Sequence, residues 1–266
     1  MMSSPFSEYV SYAWQLLNGS RFIHEKTLAD MRQQDIAGYF EAEESLSVLD
    51  LANGNLRPQY ILLKASGHHV YGIDIVNRPD LSCIDAVYRL ARWLYRQRVD
   101  LPSLPASRQT LVCGDVTSLP FRNDSFDLVT SVAAFEHFLK VPAVVAEIAR
   151  VVRPGGLVWA CIHLFSSPSG GHNVSLTEIP LRTIPTGVDP WDHLRQRRLP
   201  FHVPLNEWRK DQYLETFAHH FAILKHYCAM REGEKFLTSQ VEKELFAYSR
   251  DELTCVAYVI LGRKAL

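Results

Sequence analysis

Short runs of apolar residues alternate with amphipathic stretches through the middle of the chain. Five apolar runs lie at residues 47–51, 69–75, 110–115, 126–131 and 157–163. Stretches with helical spacing of apolar residues separate them, at 58–66, 82–98 and 141–152. Buried strands that alternate with helices are typical of sheets covered on both faces, so the pattern predicts an α/β fold with a doubly wound, mostly parallel sheet.

The flanking regions have a different pattern. Residues 1–45 contain apolar groups at helical spacing and are predicted to form an N-terminal helical segment before a main domain over 46–266. After residue 165 the alternation stops, and further elements are predicted: a lid-like insertion rich in Ser, Gly, Pro and His at 166–204, a helix at 205–219, two strands at 221–230 and 254–262, and a helical insertion at 235–248. The sheet would then have seven strands, the last of them antiparallel.

Composition and charge narrow the class of protein. The chain has 266 residues, 47% of them hydrophobic, which suffices for a large core, and its net charge of −1 gives no reason to expect nucleic acid or anionic lipid as a partner. No apolar run approaches the roughly 20 residues that span a bilayer, and we expect neither a membrane segment nor a signal peptide. The five cysteines are dispersed along the chain, which predicts free thiols in the cytoplasm. The sequence contains no tight Cys/His cluster, so it gives no reason to expect a bound metal ion.

Polar residues follow four of the predicted strands. Asn53-Gly54-Asn55 comes after the first strand, Asp74 ends the second, Asp115 ends the third, and residues 133–137 follow the fourth. Ligands of open parallel sheets bind beyond the carboxyl ends of the strands. An acidic residue about 20 positions after a tight first turn can accept hydrogen bonds from ribose hydroxyls. These positions therefore predict a nucleoside-containing ligand.

These residues form an ordered series that resembles a known enzyme family. The stretches are Val48–Asn55, Gly72-Ile73-Asp74, Cys113–Phe121 with Ser125–Val129, Glu136-His137 and Arg150–Gly156. Together they resemble the class I S-adenosylmethionine-dependent methyltransferases, in particular the type 11 group. The resemblance covers about residues 46–165 and implies a Rossmann-like sheet, S-adenosyl-L-methionine as cofactor, and methyl transfer to a small-molecule acceptor.

The resemblance also implies roles for individual residues. Asp74 would hold the ribose hydroxyls, and Asp115 would accept a hydrogen bond from the adenine amino group with Val116 nearby. Asp50 would either brace the first loop or make a structural hydrogen bond. The remaining predicted cofactor contacts are Ala52, Asn53, Gly54 and Asn55 in the first loop, Arg57 near the cofactor carboxylate, and Ala133 after the fourth strand. The first loop departs from the family's Gly-x-Gly-x-Gly pattern, because Ala52 and Asn55 replace two glycines.

Four histidines are candidates for the acceptor side. His137 and His163 follow the fourth and fifth strands, and His172 and His193 lie in the predicted lid. An alcohol acceptor needs a positioned base as its proton leaves, and imidazole is suited to that role near neutral pH. Each could instead be a core or loop histidine that is hydrogen-bonded to the backbone. Together with Trp191 and Trp208, these histidines favour O-methylation of a metabolite or sugar hydroxyl.

Two alternatives remain open on the sequence alone. A nicotinamide-dependent oxidoreductase could use a similar sheet, although the first turn lacks G-x-G-x-x-G and the Asp115 stretch would have no role in it. A non-catalytic S-adenosylmethionine-binding protein is compatible with the altered first loop. The sequence identifies neither the acceptor nor the oligomeric state, and it does not separate O- from N- or C-methylation.

Overall fold

A computed structural model describes residues 15, 19–41, 44–77, 83–98, 110–173, 187–201 and 203–266. The strands are β1 (Ser47–Leu51), β2 (His69–Asp74), β3 (Leu111–Cys113), β4 (Phe126–Val132), β5 (Val152–His163), β6 (Ala222–Arg231) and β7 (Cys255–Arg263). They form one seven-stranded sheet in the order β3-β2-β1-β4-β5-β7-β6. Strands β1 to β5 pair in parallel, and β7 runs antiparallel to both β5 and β6. The predicted fold class is confirmed, including the antiparallel last strand.

Helices connect the strands and cover both faces of the sheet. They are α1 (Ser20–Ile36), α2 (Pro58–Ala65), α3 (Cys83–Arg98), α4 (Val141–Val151), α5 (Asp192–Arg195), α6 (Lys210–Ala218), α7 (Ser239–Glu244) and α8 (Arg250–Thr254), with 3₁₀ turns at Phe135–His137 and Glu234–Phe236. No helix in the described part of the chain is long and apolar enough to cross a membrane.

The sheet separates two apolar clusters. On one face, α4 and α6 pack Val145, Ile148 and Phe217 against the β1, β4 and β5 side chains that point toward them. On the other face, α1, α2 and α3 pack against the alternate residues of the same strands, including Trp159. Because successive side chains of a strand point to opposite faces, a strand buried on both faces is apolar almost throughout. This accounts for the uninterrupted apolar runs of the sequence.

Helix α1 is joined to the sheet by a buried carboxylate. Asp35, near its carboxyl end, accepts hydrogen bonds from Trp159 Nε1 at 2.9 Å and from the Tyr227 hydroxyl at 2.6 Å. Lys225 Nζ lies 3.1 Å from the other carboxylate oxygen. The residues before Gly19, apart from Gln15, are outside the described part of the chain. Within that part, α1 belongs to the same core as the sheet.

Several predicted elements differ from the observed ones in extent. The third strand is limited to Leu111–Cys113, and the helix predicted from residue 205 begins at Lys210. The predicted helical insertion consists of the second 3₁₀ turn and α7, and α8 then leads directly into β7. Residues 174–186 of the predicted lid are outside the described residues.

Candidate active site

The loop after β1 has a left-handed backbone at two positions. Ala52 has φ +56° and Gly54 has φ +63°. The Ala52 amide donates to the Ile73 carbonyl at 2.8 Å, which holds the loop against the end of β2. A Cβ atom added to Gly54 would meet no atom within 4 Å, so the backbone there faces open space. Positive φ favours glycine at this position, and the open space beside it allows a ligand to approach the backbone closely.

Asp74 ends β2 and holds the first loop. Its Oδ2 accepts from the Gly54 amide at 2.8 Å, and its Oδ1 accepts from the Val76 amide at 2.9 Å. A carboxylate offers about four lone-pair sites, so each oxygen of Asp74 can still accept a further donor. The carboxylate is therefore compatible with two ribose hydroxyls while it braces the loop.

Beside Asp74, two amide side chains carry unused hydrogen-bonding groups. Asn77 Nδ2 donates to Asn53 Oδ1 at 2.9 Å, which joins the first loop to the turn after β2. The Asn53 Nδ2 and the Asn77 Oδ1 are buried and have no hydrogen-bond partner. Buried polar atoms are rarely left without a partner. An unused donor and an unused acceptor at the ends of β1 and β2 fit a polar, nucleoside-containing cofactor.

Asp50 lies under the loop, in the body of β1. Its side chain is buried, and the Tyr60 amide in the first turn of α2 donates to it, while Oδ2 has no partner. Burial raises the pKa of Asp50 to about 7, although the Arg32 guanidinium opposes this change. Of the two roles considered for Asp50, these contacts support a structural hydrogen bond that anchors the start of α2.

Arg57 stands at the start of α2 with φ +55°. With Arg89, Arg92 and Arg96 it lines a cavity of about 270 Å³. Arg92 also donates to the Asn55 carbonyl at 2.5 Å and so ties the first loop to α3. The side of the first loop nearest α3 is thus strongly basic, which suits the anionic group predicted near Arg57.

The other predicted cofactor contacts lie further along the same edge of the sheet. Asp115 is exposed, and its Oδ1 accepts from the amide and the hydroxyl of Thr117, which lowers its pKa. Val116 packs against the first apolar cluster. Ala133, exposed after β4, has φ +49°, and its amide donates to the Cys161 carbonyl at 2.8 Å. Their positions agree with a cofactor that runs along the carboxyl ends of the strands.

Three of the four predicted catalytic histidines form a cluster at the ends of β4 and β5. The ring centroids of His137 and His172 lie 4.7 Å apart, and those of His163 and His172 lie 4.9 Å apart. Burial lowers the pKa of His163 to about 4 and also lowers that of His172, with a further contribution from the neighbouring imidazoles. Both rings are therefore neutral near neutral pH.

Glu136 lies at the base of this histidine cluster. Its Oε1 is 3.8 Å from Nε2 of His137 and 3.9 Å from Nε2 of His172. The side chain is 1% exposed, and neither carboxylate oxygen has a partner within hydrogen-bond geometry. Burial raises the pKa of Glu136 to about 8, an effect that the nearby amides of Glu136 and His163 only partly offset. The sequence places Glu136 beside His137, but only the fold reveals that it is buried.

A segment before α6 fixes the His137 turn. The Pro204 carbonyl lies 2.9 Å from Nδ1 of His137. Asn206 donates through Nδ2 to the Phe135 and Phe138 carbonyls at 2.7 and 3.0 Å, and its own amide donates to the Glu136 carbonyl. A carbonyl only accepts, so Nδ1 of His137 carries the hydrogen, and Nε2 of the neutral ring has a free lone pair. Nothing in the local sequence pattern singles out Asn206.

The turn that carries His172 is packed against its neighbours. A Cβ added to Gly170 would lie 2.2 Å from the Phe165 carbonyl oxygen, and one added to Gly171 would lie 2.7 Å from His193. Nε2 of His163 lies 2.9 Å from the Ser169 hydroxyl in the same turn. Two glycines thus let the turn press against the core and present His172, itself at φ +51°, above Glu136.

His193 is not part of the cluster. It is buried, its Nε2 donates to the Phe165 carbonyl at 2.7 Å, and its ring supports Gly171 from behind. Trp191, which the sequence groups with the histidines of the predicted lid, is buried as well. Its ring is fully buried with Leu237 and Leu253, and Nε1 donates to the Ser166 carbonyl. Part of the predicted lid is therefore packed into the core.

Comparison with known proteins identifies the middle of the chain. Residues 49–160 match the sequence profile of a methyltransferase domain family. The chain is 33% identical over 111 residues to a demethylmenaquinone methyltransferase of Mycolicibacterium paratuberculosis. The aligned region covers 42% of this chain and 44% of the relative. The chain is also 30% identical over 154 residues to 24-methylenesterol C-methyltransferase 2 of Oryza sativa subsp. japonica. This second aligned region covers 56% of this chain and 37% of the relative.

The chain thus spans about half or less of the length of these relatives. The fold is similar to the crystal structure of the PH0226 protein from Pyrococcus horikoshii OT3, with a TM-score of 0.53 and 17% identity over 92% of this chain and 91% of that chain. The match agrees with the resemblance that the sequence shows and supports S-adenosylmethionine as the cofactor. Residues 49–160 accordingly match a methyltransferase domain, as the resemblance in the sequence predicts.

Proposed function

We propose that this chain transfers the methyl group of S-adenosylmethionine to an oxygen atom of a small-molecule acceptor. The single observation that carries the proposal is the cluster of Glu136, His137 and His172 at the ends of β4 and β5. The first loop and Asp74 lie at the carboxyl ends of β1 and β2, and β1 is the neighbour of β4 in the sheet. A cofactor held by the first loop would direct its reactive end toward the histidines.

The cofactor would be held by the strand-end residues. Asp74 would accept from the ribose hydroxyls, and Asn53 Nδ2 would donate to a polar group of the same ligand. Gly54 would leave room for the methionine part, and Arg57 would meet its carboxylate. Asp115 and Val116 would flank the adenine, and Ala133 would line the path toward β4. Each of these assignments is consistent with the burial and hydrogen bonding of the residue concerned.

When bound, S-adenosylmethionine supplies an electrophilic methyl group on a positively charged sulfur. The protein then has to hold the acceptor oxygen in line with that methyl group, and orientation of this kind can supply several kcal/mol. A hydroxyl acceptor also loses its proton. We assign this proton to Nε2 of His137, because the Pro204 carbonyl holds the ring hydrogen on Nδ1 and leaves the lone pair of Nε2 free.

Methylation of carbon is the second candidate. It is favoured by the name of the Oryza sativa relative, a C-methyltransferase that matches 56% of this chain. A carbon acceptor needs a proton removed from carbon after or during transfer, and the same histidine cluster could accept it. The two candidates differ in the atom that carries the new methyl group.

The experiment is an acceptor screen with ¹³C-methyl-labelled S-adenosylmethionine and a panel of phenols, sugars, quinols and sterols. Formation of S-adenosylhomocysteine together with a methoxy carbon signal in the NMR spectrum of the product is the expected result. A methyl carbon bonded to carbon or to nitrogen would overturn the O-methylation proposal. S-adenosylhomocysteine binding without turnover on any acceptor would count against methyl transfer itself.

A further inference from the structure

We propose that Glu136, His137 and His172 form a binding site for one divalent transition-metal ion of the zinc class. The inference concerns binding and goes beyond methyl transfer. It is tested without turnover, so either proposal can fail while the other stands.

The three side chains converge on one point. One carboxylate oxygen and two imidazole nitrogens lie within 4.8 Å of one another, and the two contacts of Glu136 Oε1 measure 3.8 and 3.9 Å. A tetrahedral zinc ion at about 2.0–2.2 Å from each ligand sets neighbouring ligand atoms roughly 3.4 Å apart. Small side-chain rotations would therefore bring all three groups to coordinating distance.

The candidate ligands are polar atoms that the fold leaves unsatisfied. Both oxygens of Glu136 and Nε2 of His172 are buried and have no hydrogen-bond partner. A buried acceptor without a partner destabilises the fold, and a charged one does so more strongly. These atoms face one another, and each offers a lone pair when the imidazoles are neutral and the carboxyl group has lost its proton. A cation between them would satisfy all three.

The surrounding contacts fix the orientation of the two imidazoles. Metal-bound histidines almost always donate their second N–H to a carbonyl, a carboxylate or water, and His137 does so through Nδ1 to Pro204. The packed glycines at 170 and 171 hold His172 over the site with φ +51°. An uncommon backbone conformation that the surrounding packing enforces is typical of functional sites. His163 acts as a positioning residue, because it holds the turn through Ser169.

The ligand set selects the kind of ion. Two imidazoles and one carboxylate suit zinc and its neighbours, whereas Mg²⁺ and Ca²⁺ prefer oxygen ligands throughout. Three protein ligands leave a fourth position open, as in catalytic zinc sites. With the ion bound, His137 is a ligand and no longer a base. The charge of the ion would then promote loss of the acceptor proton.

The test is a titration of chelator-treated, metal-free protein with Co²⁺, followed by its visible absorption and by competition with Zn²⁺. We expect one Co²⁺ per chain, displaced by Zn²⁺ and not by Mg²⁺. His172→Ala and Glu136→Gln should each weaken binding by more than about 100-fold, beyond the 10–100-fold effect of outer contacts. The matched control is His219→Ala, which removes an exposed histidine of the surface and should leave binding unchanged.

Absence of one-to-one Co²⁺ binding by the native protein would overturn the proposal, as would equal binding by the native protein and His172→Ala. Displacement of Co²⁺ by Mg²⁺ would also overturn it, because it would mean an oxygen-rich site elsewhere. S-adenosylhomocysteine affinity, measured on the same samples, shows that each variant is folded. Metal binding without turnover would leave the metal site standing and count against methyl transfer alone.

Discussion

The backbone amide of Gly54 donates to the carboxylate of Asp74 at 2.8 Å, and this bond joins the first loop to the end of the neighbouring strand. Asp74 also receives the Val76 amide, so it organises two turns before any ligand arrives. A site that is organised in advance loses little entropy when its ligand binds. Asp74 therefore has two expected roles, to hold the loop and to bind the ribose.

Replacement of Asp74 by Asn should weaken S-adenosylhomocysteine binding by about 1–3 kcal/mol, because neutral hydrogen bonds replace charge-assisted ones. The measurement is isothermal titration calorimetry on a variant whose unfolding transition is unchanged. Asp127→Asn is the matched control. Asp127 accepts from the Ser47 amide at the opposite end of the sheet and should not influence the cofactor. Equal affinities of the native protein and Asp74→Asn would remove Asp74 from the site.

Replacement of His137 by Ala should lower the turnover of the metal-free protein by about 10²–10⁴-fold, the usual contribution of a positioned base. S-adenosylhomocysteine affinity should stay the same, because the first loop does not depend on this side chain. The measurements are kcat on the identified acceptor and calorimetric affinity. His219→Ala is the control for a surface histidine. A variant that loses cofactor affinity but keeps kcat would mean that His137 packs against the cofactor instead.

The arrangement of the residues proposed to bind the cofactor could be predicted because its signals are local. Gly54 and Asp74 are twenty positions apart in the sequence and lie at the carboxyl ends of two adjacent parallel strands. The number of residues between two such strand ends varies little in this type of unit. The same applies to Asp115 after β3. In each case a short motif and the order of the strands determine the position.

The cluster of histidines with Glu136 could be predicted only in part, because it depends on contacts between distant segments. Glu136 is buried through the approach of the segment around Asn206 and of the turn at His172, and neither contact leaves a periodic pattern in the sequence. Trp191 precedes the four-residue helix α5, which is too short to show which side faces the core. His193 lies within the same short helix, so the sequence does not show which way its side chain faces either. An aromatic or imidazole side chain within a Gly- and Pro-rich stretch gives no indication of its burial.

The packing behind His172 predicts a specific effect of one added methyl group. Gly171→Ala should destabilise the protein by about 1–3 kcal/mol, because its Cβ would lie 2.7 Å from His193 and the core has to shift. It should also reduce Co²⁺ binding, since the turn carries a proposed ligand. Gly38→Ala is the control, because its Cβ would meet no atom and only the positive φ is penalised. Chemical denaturation and Co²⁺ titration of both variants provide the check. Equal Co²⁺ binding by Gly171→Ala and Gly38→Ala would contradict the role assigned to the turn.

Asp50 predicts a dependence of stability on pH. Burial raises its pKa from an ordinary value of 3.8 to about 7 in the folded protein. Of the charged neighbours, Arg32 from α1 lowers this pKa, whereas Glu25 from α1 and Asp74 from β2 raise it. Between these two values the folded protein keeps a proton that the unfolded chain has lost. Unfolding then releases a proton, so the contribution of Asp50 to the free energy of unfolding falls as the pH rises through this window.

Asp50→Asn removes this titration and keeps an acceptor for the Tyr60 amide. The stability of the variant relative to the native protein should therefore increase from pH 4.5 to pH 8, on the order of 1–3 kcal/mol. Urea denaturation of both proteins at the two pH values measures the change, and the comparison cancels the titration of all other groups that the two proteins share. Asp127→Asn should show no such increase, because Asp127 forms an ion pair with Arg153 at 2.7 Å and its replacement removes an interaction of the charged carboxylate. A stability difference between native protein and Asp50→Asn that stays constant over this range would mean that Asp50 is already charged in the fold, held so by the Arg32 guanidinium.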